Sequence, residues 1–140
     1  MTIKVEFSSQ LADLKHTIDA ELQVHSKHLN KVTARDFTPY SAVVVDAYDQ
    51  VLARGGKRIR GALTIMGYEM CGGTDRAMIL KAAAAIEMTH AYILVLDDIM
   101  DKSVMRRGGA SAHTTLTNYH IQHGLSGDSQ RKFHGICSHR

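Results

Sequence analysis

Three carboxylates, in Asp97-Asp98-Ile99-Met100-Asp101, follow directly on the apolar run Ile93 to Leu96. On an ideal helix Asp97 and Asp101 lie about 40° apart on one face, and Asp98 is turned about 100° away to the rim. His90, seven residues before Asp97, falls within about 20° of the same line. His90, Asp97 and Asp101 then form one polar ridge on a helix that is otherwise apolar or small. Like charges at this spacing destabilise a helix, and carboxylates drawn toward a core cost far more unless something pairs with them. Protonation at a raised pKa or a divalent cation relieves that tension; the alternative is a helix end whose aspartates face water. Oxygen ligands without Cys or His at ligand spacing suit Mg²⁺, which takes one or two carboxylates plus the phosphate oxygens of a substrate.

Two cationic groups flank this ridge. Arg106-Arg107 follow at a Gly-rich helix end, where they either make salt bridges to the carboxylates or bind a polyphosphate through bidentate hydrogen bonds. Upstream, Gly55-Gly56-Lys57-Arg58-Ile59-Arg60 puts glycines and cations at a helix start. That suits an anion, or else is a solvated basic helix start.

The elements that must position these groups read as helices throughout. Leu11, Leu14, Ile18, Leu22 and Leu29 mark an amphipathic helix from Phe7 to Val32. Pro39 opens a second, Tyr40 to Ala53. A third, Arg58 to Cys71, carries Ile59, Leu63, Met66 and Met70 as its expected buried stripe. Thr74 is the expected N-cap of a fourth, Asp75 to Ser103, whose Ala-rich first half lets a neighbour approach closely. A short helix spans His113 to Gln122, and nothing calls for a strand. The expected fold is all-α, an antiparallel helical bundle.

Composition narrows the function. The 140 residues fit at most one domain. Two cysteines, Cys71 and Cys137, make no disulfide framework. No uninterrupted apolar run approaches the length that spans a bilayer, and the N-terminus lacks a signal-peptide profile, so a cytoplasmic setting is expected. The net charge of +3 arises mainly from Arg106 onward, with five Lys or Arg against one Asp there, and few aromatics are interleaved. No nucleic-acid partner is therefore expected.

Taken together, Gly55-Gly56-Lys57-Arg58-x-Arg60, Glu87-x-x-His90, Asp97-Asp98-x-x-Asp101 and Arg106-Arg107-Gly108 resemble, in order and spacing, the N-terminal half of trans-isoprenyl diphosphate synthases, which include farnesyl and geranylgeranyl diphosphate synthases. The resemblance covers about residues 35 to 130 and implies the N-terminal part of the isoprenoid synthase fold. It implies a prenyltransferase that condenses isopentenyl diphosphate with an allylic diphosphate, and a homodimer. Asp97 and Asp101, supported by Asp98, would hold Mg²⁺ on the allylic diphosphate. Arg106 would contact that diphosphate, and Lys57, Arg60, His90 and Arg107 would bind isopentenyl diphosphate. Tyr92 and Ile93, five and four places before the first Asp, would set product length, the bulky Tyr92 favouring a C15 or C20 product.

The chain departs from the family in two ways. Family members are about twice as long and carry a second aspartate-rich motif, which nothing in residues 102–140 resembles, so the chain alone is expected to be inactive or nearly so. The resemblance fades at Gln130, leaving a domain of residues 1–130 and an atypical basic tail, 131–140, that reads as a truncation or an altered frame. A non-catalytic helical partner that packs with a complete synthase is the alternative.

Overall fold

The computed structural model describes residues 2–124; the tail 131–140 and the segment leading into it lie outside the described residues. Five helices and one two-stranded hairpin follow in the order α1 (Thr2–Asp36), α2 (Pro39–Ala53), α3 (Ile59–Met70), α4 (Arg76–Met100), β1 (Met105–Arg106), β2 (Gly109–Ala110) and α5 (Ala112–Gln122). Among the described residues the architecture is all-α apart from that hairpin. The chain divides into two compact units. Among the described residues, one comprises α1 up to His28 together with Gly55–His90; the other comprises Leu29–Arg54 and residues 91–124.

In the first unit Leu14, Ile18 and Leu22 are buried as their helical spacing requires, together with Ala62 and Ile65 of α3 and Ile79, Ala83 and Ala84 of α4. A side chain at Gly61 would begin 3.0 Å from Ile18 Cδ1 and 3.3 Å from the Ala83 carbonyl oxygen, so these three helices meet closely at a point where any side chain would have to displace a neighbour. This overturns the expected stripe of α3. The buried face is Gly61, Ala62 and Ile65, whereas Leu63 is 58% and Met70 86% exposed. Small residues won that face because they permit the closest helix approach.

The start of α4 also differs from expectation. Asp75, not Thr74, caps it: its Oδ1 accepts the Met78 N–H at 2.9 Å. Averaged over eighteen residues, α4 reaches a mean hydropathy of 1.5, so by length and composition it could cross a membrane. Uninterrupted apolar runs do not reveal this, because Glu87 and His90 break the run without lowering the average far. Glu87 is buried against Arg58 and the Gly61 amide of the same unit, so its carboxylate is satisfied within the protein.

In the second unit α2 packs on α5, with Ala47, Val51 and Ala112 buried and Val95 and Leu116 packed against them. The helix α4 ends in a Schellman turn: Ser103 N–H reaches the Asp98 carbonyl and Lys102 N–H the Ile99 carbonyl, with Lys102 at φ 56° where glycine is usual. The chain then reverses into a hairpin in which Met105 faces Ala110 and Arg106 faces Gly109. Arg107 and Gly108 form its two-residue loop at φ 50° and 76°, the positive angles of a type I′ turn. The expectation of a plain loop without strands is thereby corrected. The turn geometry matches strand twist, and even two residue pairs suffice to form the ladder.

Candidate functional site

The acidic triplet divides into two kinds of carboxylate. Asp98 is wholly buried, at 0% exposure, while Asp97 and Asp101 are exposed. The burial of Asp98 is matched by Arg106, whose Nε donates to Oδ1 at 2.9 Å and Oδ2 at 3.1 Å while Nη2 donates to Oδ1. Such a forked pair is among the strong hydrogen-bonding geometries. The hydrogen bonds that Arg106 donates to Asp98 hold its guanidinium still more firmly in its charged form; burial opposes this, and the charges of Asp98, Asp97 and Asp101 add to it. Ideal helical geometry puts Asp98 at the helix rim. Instead Asp98 points inward, and its backbone and side chain both organise the return of the chain: its carbonyl closes the Schellman turn and its carboxylate fixes Arg106.

Asp97 and Asp101 stay one helical turn apart, since the Asp101 N–H still bonds the Asp97 carbonyl at 2.8 Å. Among the described residues neither carboxylate has a hydrogen-bonding or ion-pairing partner, and no three His, Cys, Asp or Glu side chains converge. With Asp98 turned away, two hard oxygen donors remain. Two carboxylates, with waters and phosphate oxygens completing the shell, fit Mg²⁺ and do not fit a protein-only cage.

Beside them the hairpin is clamped by a residue that no sequence pattern singles out. Arg54, at the C-cap of α2, donates through Nη1 to the Ala110 carbonyl at 2.6 Å and the Arg106 carbonyl at 3.2 Å. Its guanidinium lies on Gly109 so closely that a Cβ there would begin 2.5 Å from Cζ. Arg107, at the tip, is exposed.

In the first unit the Gly55–Arg60 segment separates in the same way. Lys57 and Arg60 are exposed, and Arg58 is buried in the left-handed region at φ 51°. Arg58 Nε meets Asp19 Oδ1 at 2.8 Å, and Nη1 lies 3.6 Å from Glu87 Oε2. Burial pushes the Asp19 carboxyl up, but hydrogen bonds from Lys15 and Arg58, with their charges, outweigh it and hold the group below its usual range. The second Glu87 oxygen accepts the Gly61 N–H at 2.9 Å. The N-terminus of α3, whose sequence suits an anion, already has one in Glu87. Arg60 and His90 do come together, with Nη1 3.1 Å from Nε2. A guanidinium can only donate, so Nε2 is the acceptor in this pair. Tyr92 and Ile93 are both exposed, at 56% and 49%.

A model of the polyprenyl synthetase family matches residues 41–126, well over half of the chain. The chain belongs to the polyprenyl synthetase family. Similar curated proteins include an all-trans-nonaprenyl-diphosphate synthase (geranyl-diphosphate specific) of Rhodobacter capsulatus, 39% identical over 77 residues, which are 55% of this chain and 24% of that protein. A short chain isoprenyl diphosphate synthase of Methanocaldococcus jannaschii is 46% identical over 68 residues, 49% of this chain and 20% of its own length. A chloroplastic geranylgeranyl pyrophosphate synthase of Arabidopsis thaliana is 33% identical over 110 residues, 77% of this chain and 28% of its own length. The chain spans about a fifth to a quarter of the first curated relatives it matches. No solved structure matches it significantly. The family match takes in Lys57, Arg60, His90, the acidic triplet, the hairpin and α5 of this polyprenyl synthetase sequence. Asp19, the outer partner of Arg58, lies before it.

Proposed function

We propose that the chain is the N-terminal portion of a prenyltransferase that joins isopentenyl diphosphate to an allylic diphosphate, with Asp97 and Asp101 holding Mg²⁺ on the allylic substrate. What supports this reading most is the split within the acidic triplet: two exposed, unpaired carboxylates stand one turn apart, beside an arginine held by the third. A bound Mg²⁺ would supply positive charge to the diphosphate as it leaves. Arg106, oriented by Asp98, offers its remaining guanidinium N–H groups to the same anion. Lys57, Arg60, His90 and Arg107 are the groups proposed for isopentenyl diphosphate; Arg60 and His90 are already paired, with His90 as acceptor. Tyr92 is proposed to limit the product to C15 or C20, and the working form to be a cytoplasmic homodimer. The names of the relatives, which run from geranylgeranyl to nonaprenyl products, leave chain length to these local residues.

Calorimetric titration of the chain with an allylic diphosphate, with and without Mg²⁺, tests this. Binding that requires Mg²⁺ and is lost in Asp97→Ala and Asp101→Ala supports the reading; binding indifferent to both substitutions refutes it. A helical partner subunit is the second reading, favoured by the exposed Ile59, Leu63 and Met70 on α3. It expects this chain to raise the activity of a complete synthase when the two are mixed.

A further inference from the structure

The hairpin Met105–Ala110 is too short to be stable alone, since even complete two-stranded hairpins are marginal in water. Yet it carries both Arg106 and Arg107. Its tip requires two consecutive positive φ angles, one of them at an arginine, a conformation that L side chains adopt at a cost. Something outside the hairpin must over-determine this shape. Asp98 fixes the Arg106 side chain, whereas Arg54 bonds one carbonyl on each strand and covers Gly109 with its planar face. The two anchors reach Arg106 from opposite ends, the carboxylate at its guanidinium and Arg54 at its backbone.

We propose that Arg54 is a positioning residue, which clamps the hairpin so that Arg106 stays on Asp98 with its free N–H groups turned to the diphosphate. This rests on the prenyltransferase reading for its consequence, but not for its geometry. Arginine suits this role because one donor-bearing plane spans two carbonyls and stacks on a glycine peptide. A lysine ammonium would reach a carbonyl but cover nothing. Gly109 has no positive φ, so its lack of a side chain is explained by the approach of Arg54 and not by backbone strain.

The experiment follows hydrogen exchange of the Arg106 Nε–H by NMR in the full chain, alongside Mg²⁺-dependent binding of geranyl diphosphate. In Arg54→Ala the Arg106 Nε–H is expected to exchange at least about tenfold faster, with the amides of α2 and α5 unchanged, and diphosphate binding to weaken about ten- to a hundred-fold. Arg54→Lys restores part of both. Gly109→Ala, which pushes the guanidinium away without removing it, reproduces the Arg54→Ala result. If Arg106 Nε–H remains protected in Arg54→Ala and in Gly109→Ala, or if protection falls equally throughout α2 and α5, the inference is overturned. A wild-type chain that binds no diphosphate refutes the functional reading instead, while the exchange data still decide whether Arg54 positions Arg106.

Discussion

The two ends of the Asp98–Arg106 pair are buried unequally, and this sets an order for their removal. Asp98 is 0% exposed, whereas the Arg106 side chain retains 28% exposure. In Arg106→Ala a carboxylate is left inside the protein without its cation, which costs about 3–5 kcal/mol. In Asp98→Ala the guanidinium loses its forked bonds but can swing into water, so the loss approaches that of a charged hydrogen bond, about 2 kcal/mol. The double substitution removes both charges and should cost less than the two singles added, by at least about 1 kcal/mol. Asp97→Ala, on the exposed face, should change stability by no more than about 0.5 kcal/mol. Thermal denaturation followed by circular dichroism reads the series; Arg106→Ala is expected to lower Tm by roughly 10 °C and Asp97→Ala hardly at all. If Asp98→Ala proved more damaging than Arg106→Ala, or the two effects added without coupling, the inward carboxylate would not be held as described.

Other consequences are smaller in scope. Glu87→Ala removes the acceptor of the Gly61 N–H and one partner of the buried Arg58; urea denaturation should register a loss of about 3 kcal/mol. Asp19 has a carboxyl held below its usual range by Lys15 and Arg58, so its contribution is fully present above the unfolded value of about 3.9 and is lost as pH falls through the lower folded value. An acid titration of stability should therefore be shallower below about pH 4 in Asp19→Asn than in the wild type. Tyr92→Ala, placed in a complete synthase carrying this N-terminal portion, should lengthen the product; chromatography of the released alcohols checks it, and an unchanged distribution would remove Tyr92 from the proposal.

Helical spacing in the sequence is sufficient for the helices and for part of the core: Leu14, Ile18 and Leu22 are buried where their period puts them. It misleads in α3, because hydrophobicity alone ranks Leu63 and Met70 above Gly61 and Ala62, whereas close approach to Ala83 demands the small pair. Helical spacing already sets Asp98 apart from Asp97 and Asp101, but not its burial against Arg106. The chain reversal at Lys102 that brings Arg106 back to Asp98 depends on a left-handed residue that is not glycine, so no glycine signal marks it. The hairpin has a faint signal, a residue followed by glycine between short apolar steps. Arg54 has none, since its partners lie 52 and 56 residues away and are backbone carbonyls, which every residue has. Arg58 and Glu87 stand inside recognisable motifs, yet burial, not sequence, distinguishes their structural pairing from the exposed Lys57 and Arg60.

At the centre stands the claim that Asp97 and Asp101 grip a diphosphate through magnesium while Asp98 serves Arg106. A crystal structure of the chain with Mg²⁺ and a non-cleavable allylic diphosphate analogue tests it most directly. The predicted result is a metal about 2.1 Å from an oxygen of each of Asp97 and Asp101, diphosphate oxygens on the same ion, and Asp98 still forked to Arg106. A diphosphate bound away from these carboxylates, or Asp98 rotated out to ligate the metal in their place, would contradict it.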